Sequence, residues 1–119
     1  MDDQYLNVIM GIIMNAGNAK GLAHEALESA KQNDFEKANQ LMAESNQSLA
    51  EAHNVQSEML TKEAQGEHTE MNLYMVHAQD HLMTAITYQD LVKELITLYK
   101  RMHNRTTLTS CAMTFYFVR

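Results

Sequence analysis

The chain of 119 residues contains 10 methionines, 4 glycines and no proline, and its formal net charge is −6 at pH 7. This length predicts one domain with one modest core, and the composition favours long helices over a sheet. The acidic balance argues against nucleic acid or anionic lipid as the main partner. Because Cys111 is the single cysteine and no stretch resembles a signal peptide or a membrane span, we expect a cytoplasmic protein without an internal disulfide.

The first predicted helix covers residues 5–31, where apolar and small side chains recur at intervals of three and four residues. These side chains are expected to form its buried stripe: Ile9, Ile12, Ile13, Ala16, Ala19, Ala23, Ala26, Leu27 and Ala30. Asn33 is expected to cap the second helix, with Glu36 at the capping-box position.

The second predicted helix runs from Asp34 to about residue 64, and Gly66 ends it. Its expected buried stripe has the same spacing: Ala38, Leu41, Met42, Ser45, Leu49, Ala52, Val55 and Met59. Thr69 is expected to cap a third helix that ends near residue 102. Because the connections are short and each helix is roughly 40 Å long, the sequence predicts an all-α, antiparallel, up-down-up three-helix bundle.

The last part of the chain differs in composition from the rest. Residues 106–109 and 115–118 are rich in β-branched and aromatic side chains without helical periodicity. We therefore predict a three-helix domain over residues 1–103 and an atypical tail over residues 104–119. The tail is either a packed extension or, as we favour, a segment unrelated to the function.

Four polar side chains share one face of the third predicted helix: His77, Asp80, His81 and Thr84. Leucines continue the same face before and after them: Leu73, Leu91, Leu95 and Leu98. Ionisable groups on a buried stripe cost several kcal/mol unless they are paired or hydrogen-bonded. The four residues are therefore predicted to form a functional site.

The third helix is apolar on other sides as well. Leu82, Met83 and Ile86 lie away from the His77 face, yet they are also hydrophobic. A helix that is apolar on more than one side is either central in its fold or covered by another subunit. We therefore expect a homo-oligomer.

The chemistry that suits His77 best is transient transfer of a phosphoryl group. A neutral imidazole nitrogen is nucleophilic near pH 7, and a phosphorylated imidazole transfers the group onward readily. His81 could donate a hydrogen bond to phosphate oxygens, and Thr84 could add its hydroxyl. Gln79 lies roughly 200° around the helix from His77, so it could complete the site of a neighbouring subunit rather than its own.

Other interpretations of these residues remain open. Two histidines four residues apart could form half of a zinc site, or could be purely structural. A ferritin-like di-metal site is excluded because the sequence contains no Glu-x-x-His motif. Asp80 could bind a hard cation, with one oxygen from each of three copies plus waters giving the octahedral shell that Mg²⁺ prefers. It could equally form a hydrogen bond within its own bundle.

Four stretches together resemble the IIA component of the lactose/cellobiose class of the bacterial phosphoenolpyruvate-dependent sugar phosphotransferase system. These stretches are residues 17–20 with 25–27, residues 33–35, residues 51–53 with Gln56, and residues 76–84, which contain the specific run HAQDHLM. Ala78 in that run resembles the cellobiose/chitobiose branch more than the lactose branch.

The resemblance implies a homotrimer of three-helix protomers and a phosphocarrier function. It implies that His77 accepts phosphate from phospho-HPr and that a cysteine of the cognate IIB component then receives it during uptake of a β-linked disaccharide. It further implies that Asp80 binds a metal ion, Mg²⁺, on the trimer axis, and that Gln79 and His81 line the phosphorylation cleft. A competing hypothesis is a helical interaction module whose buried polar cluster sets only the oligomer register.

Overall fold

The computed structural model of the protein describes residues 2–118, with side chains through residue 113. Within that range the chain forms three α-helices and no strand: α1 (Asp3–Lys31), α2 (Phe35–Ala64) and α3 (Leu73–Val118). The prediction of an all-helical, three-helix chain is confirmed. In the described part of the chain, no helix combines the length and hydrophobicity needed to cross a bilayer.

The helix starts differ slightly from those predicted. Asp34, rather than Asn33, caps α2, because its carboxylate accepts a hydrogen bond from the Lys37 N–H at 3.2 Å. Asn33 has φ 64°, a left-handed conformation that asparagine adopts more readily than most residues. Asn72, rather than Thr69, immediately precedes α3. Its side-chain oxygen accepts a hydrogen bond from the backbone N–H of Met75 at 2.9 Å.

The loop between α2 and α3 is held by two polar groups. The Glu63 carboxylate accepts hydrogen bonds from His68 Nδ1 at 2.8 Å and from the Thr69 N–H at 3.1 Å. These bonds, that from His68 above all, hold the pKa of Glu63 below its usual value. The Tyr5 hydroxyl donates to the Glu70 carbonyl, and burial, followed by the Glu70 charge, raises the pKa of Tyr5. The loop is thereby attached to the start of α1.

The core is divided into two hydrophobic clusters along the bundle. The first packs Ile9 and Ile12 of α1 against Met75 and Leu82 of α3, all of them fully buried. The second is built largely from alanines, which allow close helix approach: Ala23, Ala26, Ala30 and Ala38, with Met42, Val92 and Ile96. The stripes predicted for α1 and α2 supply most of these side chains, so those two patterns are confirmed.

A buried polar link lies in the core and connects all three helices. Ser45 Oγ of α2 donates to the Ala19 carbonyl of α1 at 2.6 Å, and Gln89 Nε2 of α3 donates to Ser45 Oγ at 3.0 Å. Both side chains are buried. Because a misplaced partner would leave a buried polar atom unsatisfied, the link fixes the relative register of the helices.

The order of the polar contacts along the chain indicates whether two neighbouring helices are parallel or antiparallel. From α2 to α3, the paired residue numbers change in opposite directions: Gln56 with Gln79, Ser45 with Gln89, and Asn39 with Lys100. From α1 to the last part of the chain they rise together, since Tyr5 contacts Glu70 in the loop before α3 and His24 contacts Tyr88 within α3.

The buried face of α3 is not the face predicted from sequence. The helix buries Met75, Ala78, Leu82, Ala85, Gln89, Val92 and Ile96. The face that contains His77, Asp80 and Thr84 is exposed within the protomer, together with its leucines. The polar cluster therefore does not interrupt the protomer core, because α3 turns a different apolar stripe toward α1 and α2.

The tail is helical, contrary to the expectation from its composition. α3 continues without interruption from the bundle through residue 118. Its threonines Thr106, Thr107 and Thr109 each donate a side-chain hydrogen bond to the carbonyl four residues earlier. This local bonding is compatible with a helix even though β-branched residues are weak helix formers. Cys111 is exposed on it, and the boundary proposed near residue 103 stays a prediction.

Candidate functional site

The candidate site begins with a pair of histidines one helical turn apart on α3. The His77 and His81 rings have centroids 4.8 Å apart and lie nearly perpendicular, at 76°. His77 is exposed and His81 is half-buried. Within residues 2–118, the structure gives neither imidazole a hydrogen-bond partner. Their ring nitrogens are therefore not engaged by the described residues, and the exposed His77 is open to an incoming group.

Thr84 and Asp80 lie on the same exposed face as the histidines. The Thr84 hydroxyl donates to the Asp80 carbonyl at 2.8 Å and is 3.2 Å from the His81 carbonyl. Its hydrogen is therefore used within the helix, while its oxygen can still accept a bond. The Asp80 carboxylate is exposed, and among the described residues it has neither an ion pair nor a hydrogen bond.

Gln79 is separated from this face and is held by α2. Gln56 Nε2 donates to Gln79 Oε1 at 2.7 Å, and Gln79 Nε2 lies 3.3 Å from Met75 Sδ. Both glutamines are half-buried. The structure thus brings His77, His81, Asp80 and Thr84 together and places Gln79 on the other side of α3, as its helical angle predicts.

A groove between α1 and α3 adjoins the histidine face and was not predicted from sequence. It has a volume of ≈ 380 Å³ and is lined by Lys20, Met83, Thr84, Thr87, Tyr88 and Leu91. Lys20 Nζ lies 5.6 Å from the centre of the Tyr88 ring, and the Tyr88 hydroxyl is 2.9 Å from His24 Nδ1. Sequence spacing could not reveal this groove because its two walls are more than sixty residues apart in the chain.

A metal ion at Asp80 would need more ligands than the described part of one protomer provides. In the part of the chain that the structure describes, no three His, Cys, Asp or Glu side chains converge to hold a metal. The exposed Asp80 carboxylate, between Leu73 and Leu91 on this face, can supply one hard oxygen ligand. The described part of one protomer therefore does not complete a metal site at Asp80.

The described residues thus form a three-helix protein with two adjacent imidazoles on an exposed face. Comparison with known families identifies a more specific class. Residues 7–100 match the family described as "PTS system, Lactose/Cellobiose specific IIA subunit". The chain belongs to this family, whose members are phosphotransferase components that carry phosphate.

Several characterised relatives share much of the sequence. The cellobiose-specific EIIA component of Lactococcus lactis subsp. lactis is 52% identical over 100 residues, which cover 84% of this chain and 86% of the relative. The N,N'-diacetylchitobiose-specific EIIA component of Escherichia coli is 43% identical over 95 residues, which cover 80% of this chain and 82% of the relative.

Solved structures show the same similarity in three dimensions. The cellobiose-specific enzyme IIA of Bacillus anthracis superposes with a TM-score of 0.82 at 40% identity, covering 87% of this chain and 95% of that one. A IIA(chitobiose) chain solved in complex with HPr, from Escherichia coli, gives a TM-score of 0.73 at 39% identity, with coverages of 87% and 99%.

Proposed function

We propose that this protein accepts a phosphoryl group on His77 from phospho-HPr and passes it to a cysteine of its cognate IIB component. The transfer serves the uptake of a β-linked disaccharide, of the cellobiose or chitobiose type rather than lactose. Two relatives named for cellobiose and chitobiose support this sugar class, and a related IIA chain has been solved in complex with HPr. The proposed location is the cytoplasm.

The observation that carries this proposal is the accessibility of His77. Its ring is exposed and lies beside a second imidazole. In the first step, a His77 nitrogen forms a P–N bond as the P–N bond to the donor histidine breaks. In the second step, the cysteine thiolate of IIB forms a P–S bond as the P–N bond to His77 breaks. Such transfers depend on positioning and charge stabilisation, for which His81 would donate a hydrogen bond and a neighbour's Gln79 would help orient the phosphoryl group. Thr84 would take part once its hydroxyl turns from the Asp80 carbonyl to donate to a phosphoryl oxygen.

The first test is phosphorylation in a reconstituted system. With phosphoenolpyruvate, enzyme I and HPr, the wild-type protein is expected to gain acid-labile phosphate on His77, and His77→Ala is expected to gain none because the nucleophile is gone. His53→Ala removes another exposed histidine and serves as the matched control. If His77→Ala is labelled as fully as wild type, the assignment is wrong. If it changes assembly while wild type is never labelled, the interaction-module hypothesis is favoured.

We further propose that the protomer is an up-down-up bundle and assembles as a homotrimer. The order of the interhelical contacts supports this arrangement of the helices. The exposed leucines of α3 support the assembly, since water-exposed apolar stripes of this length are typical of interfaces. In the trimer, the stripes of three α3 helices would face one another: Leu73, Leu91, Leu95, Leu98 and Met102.

Such an arrangement would bring three Asp80 carboxylates close together on the axis. Like charges repel strongly at short range unless a cation lies between them. We propose that Mg²⁺ binds there, with one oxygen from each copy and with waters completing its octahedral shell. The ion would stabilise the assembly by neutralising the carboxylates.

Metal content tests this assignment. After equilibration with MgCl₂ and desalting, wild type is expected to retain roughly one Mg²⁺ per three chains, because each copy supplies one ligand. Asp80→Leu is expected to retain none, and elemental analysis measures both. Asp90→Leu changes another exposed aspartate of α3 and is the control. Equal magnesium in wild type and Asp80→Leu would reject the site.

A further inference from the structure

We propose that Gln56 is a positioning residue for phosphoryl transfer and acts by orienting the side-chain amide of Gln79. This inference rests on the proposed function, because it concerns the same site. It adds a residue on α2 to a cleft otherwise described by residues of α3.

The contact between the two glutamines is short and directional. Gln56 Nε2 donates to Gln79 Oε1 at 2.7 Å, across the space between α2 and α3. The same Gln56 nitrogen lies 3.7 Å from Met83 Sδ, and the Gln79 nitrogen lies 3.3 Å from Met75 Sδ. Thioether sulfur is a weak acceptor. The amide–amide bond is therefore the strongest interaction that either side chain makes here.

This bond decides which end of the Gln79 amide remains free. The carbonyl oxygen is used by Gln56, and one N–H faces a weak sulfur acceptor, so a second N–H is available for another partner. A free N–H can donate to a phosphoryl oxygen, whereas an outward carbonyl would repel it. Without Gln56, the Gln79 amide could rotate and present either end.

The helical geometry explains why a side chain on α2 matters for a histidine on the other side of α3. Gln79 lies roughly 200° from His77 on α3, so the two cannot meet within one protomer. In the proposed trimer, Gln79 of one copy would meet His77 of the next. Gln56 of the same copy holds the carbonyl end of the Gln79 amide. It would therefore influence the neighbouring copy's site without touching the phosphoryl group.

Two variants test this role without removing much volume. Gln56→Glu replaces the donor by an acceptor and should reverse the Gln79 amide, while Gln56→Met removes the donor but keeps a similar length. Each is expected to lower the rate constant of transfer from phospho-HPr about tenfold, the size of one lost hydrogen bond. The KM for phospho-HPr and the trimer mass should not change. Gln47→Glu adds the same charge at an exposed position of α2 and should transfer at the wild-type rate.

A double variant shows whether Gln56 acts through Gln79. In a Gln79→Ala background, Gln56→Met is expected to have no further effect on the rate, because its partner is already absent. A tenfold loss that persists in that background would overturn the inference, as would wild-type rates in both single variants.

The remaining outcomes are also decisive. If Gln56→Glu does not fold, the rate of Gln56→Met decides. A loss of rate accompanied by loss of trimer would indicate a structural role and would overturn the proposal. A wild-type protein that accepts no phosphate would overturn the proposed function and this inference together, whereas labelled wild type with unaffected Gln56 variants would overturn this inference alone.

Discussion

At the scale of single residues, the two imidazoles differ in environment in a way that suits different roles. His77 is exposed, which suits the proposed exchange of a phosphoryl group with two partner proteins, whereas His81 is half-buried one turn further along α3. Their rings meet edge to face, an arrangement that aromatic side chains favour. His77 is therefore the proposed carrier and His81 the donor that orients the phosphoryl group.

Replacing His81 by alanine tests whether it orients the phosphoryl group while His77 accepts it. In His81→Ala, His77 should still be phosphorylated, but transfer from phospho-HPr should slow by roughly 10- to 100-fold because one positioned donor is lost. Rapid-quench measurement of labelled protein gives the rate. His53→Ala is again the matched control. Complete loss of labelling in His81→Ala, with the fold intact by circular dichroism, would instead make His81 the phosphate acceptor.

At the scale of secondary structure, α3 presents two apolar stripes, of which the protomer buries one. One stripe packs against α1 and α2 and includes Leu82 and Val92. The other includes Leu91 and Leu95 and remains open to solvent in the protomer. The link through Ser45 fixes the rotation of α3 between these alternatives, because an unpaired buried hydroxyl or amide is costly.

Removing that link should destabilise the bundle measurably. Ser45→Ala leaves the buried Gln89 amide without its acceptor and is expected to lower the free energy of unfolding by about 1–3 kcal/mol. Urea denaturation monitored by circular dichroism provides the measurement. Ser48→Ala breaks an exposed bond from Asn18 to Ser48 and should cost much less. Equal stability of Ser45→Ala and wild type would show that the link does not contribute.

At the scale of the whole molecule, the protomer leaves exposed a hydrophobic surface that a single copy does not cover. Leu73 is 81% exposed and Leu91 is 58% exposed, both on the face that contains His77. Burying such side chains typically stabilises by about 1.5–3 kcal/mol each. Association of three copies along this face would remove these side chains from water and bring the proposed site at His77 next to a neighbouring protomer.

A charge placed on this stripe should therefore prevent assembly. Leu95, which is 40% exposed, lies at the centre of the proposed interface, and Leu95→Arg is expected to yield monomers because it would bury three unpaired cations. Leu60 on α2 is 62% exposed and lies off the stripe, so Leu60→Arg should leave the trimer unchanged. Sedimentation velocity measures both masses. Trimers of Leu95→Arg would exclude this face as the interface.

The sequence by itself determined the helical class, the core stripes of α1 and α2, and the residues that share the face of His77. These features follow from the periodicity of 3.6 residues per turn and from local propensity, which act over short distances along the chain. The four stretches that resemble the family, of which the run from His77 to Met83 is the most specific, also indicated the family that the comparison shows.

Only the tertiary structure decided which of the two apolar stripes of α3 is buried, because both have helical spacing and the choice depends on what α1 and α2 present. It also decided that α2 contacts Gln79 through Gln56, since that pair is 23 residues apart in sequence. The helical tail was mispredicted because continuation from the preceding turns of α3 outweighs the weak helix propensity of threonine. Helix nucleation is the costly step, and a helix that is already formed extends at little further cost.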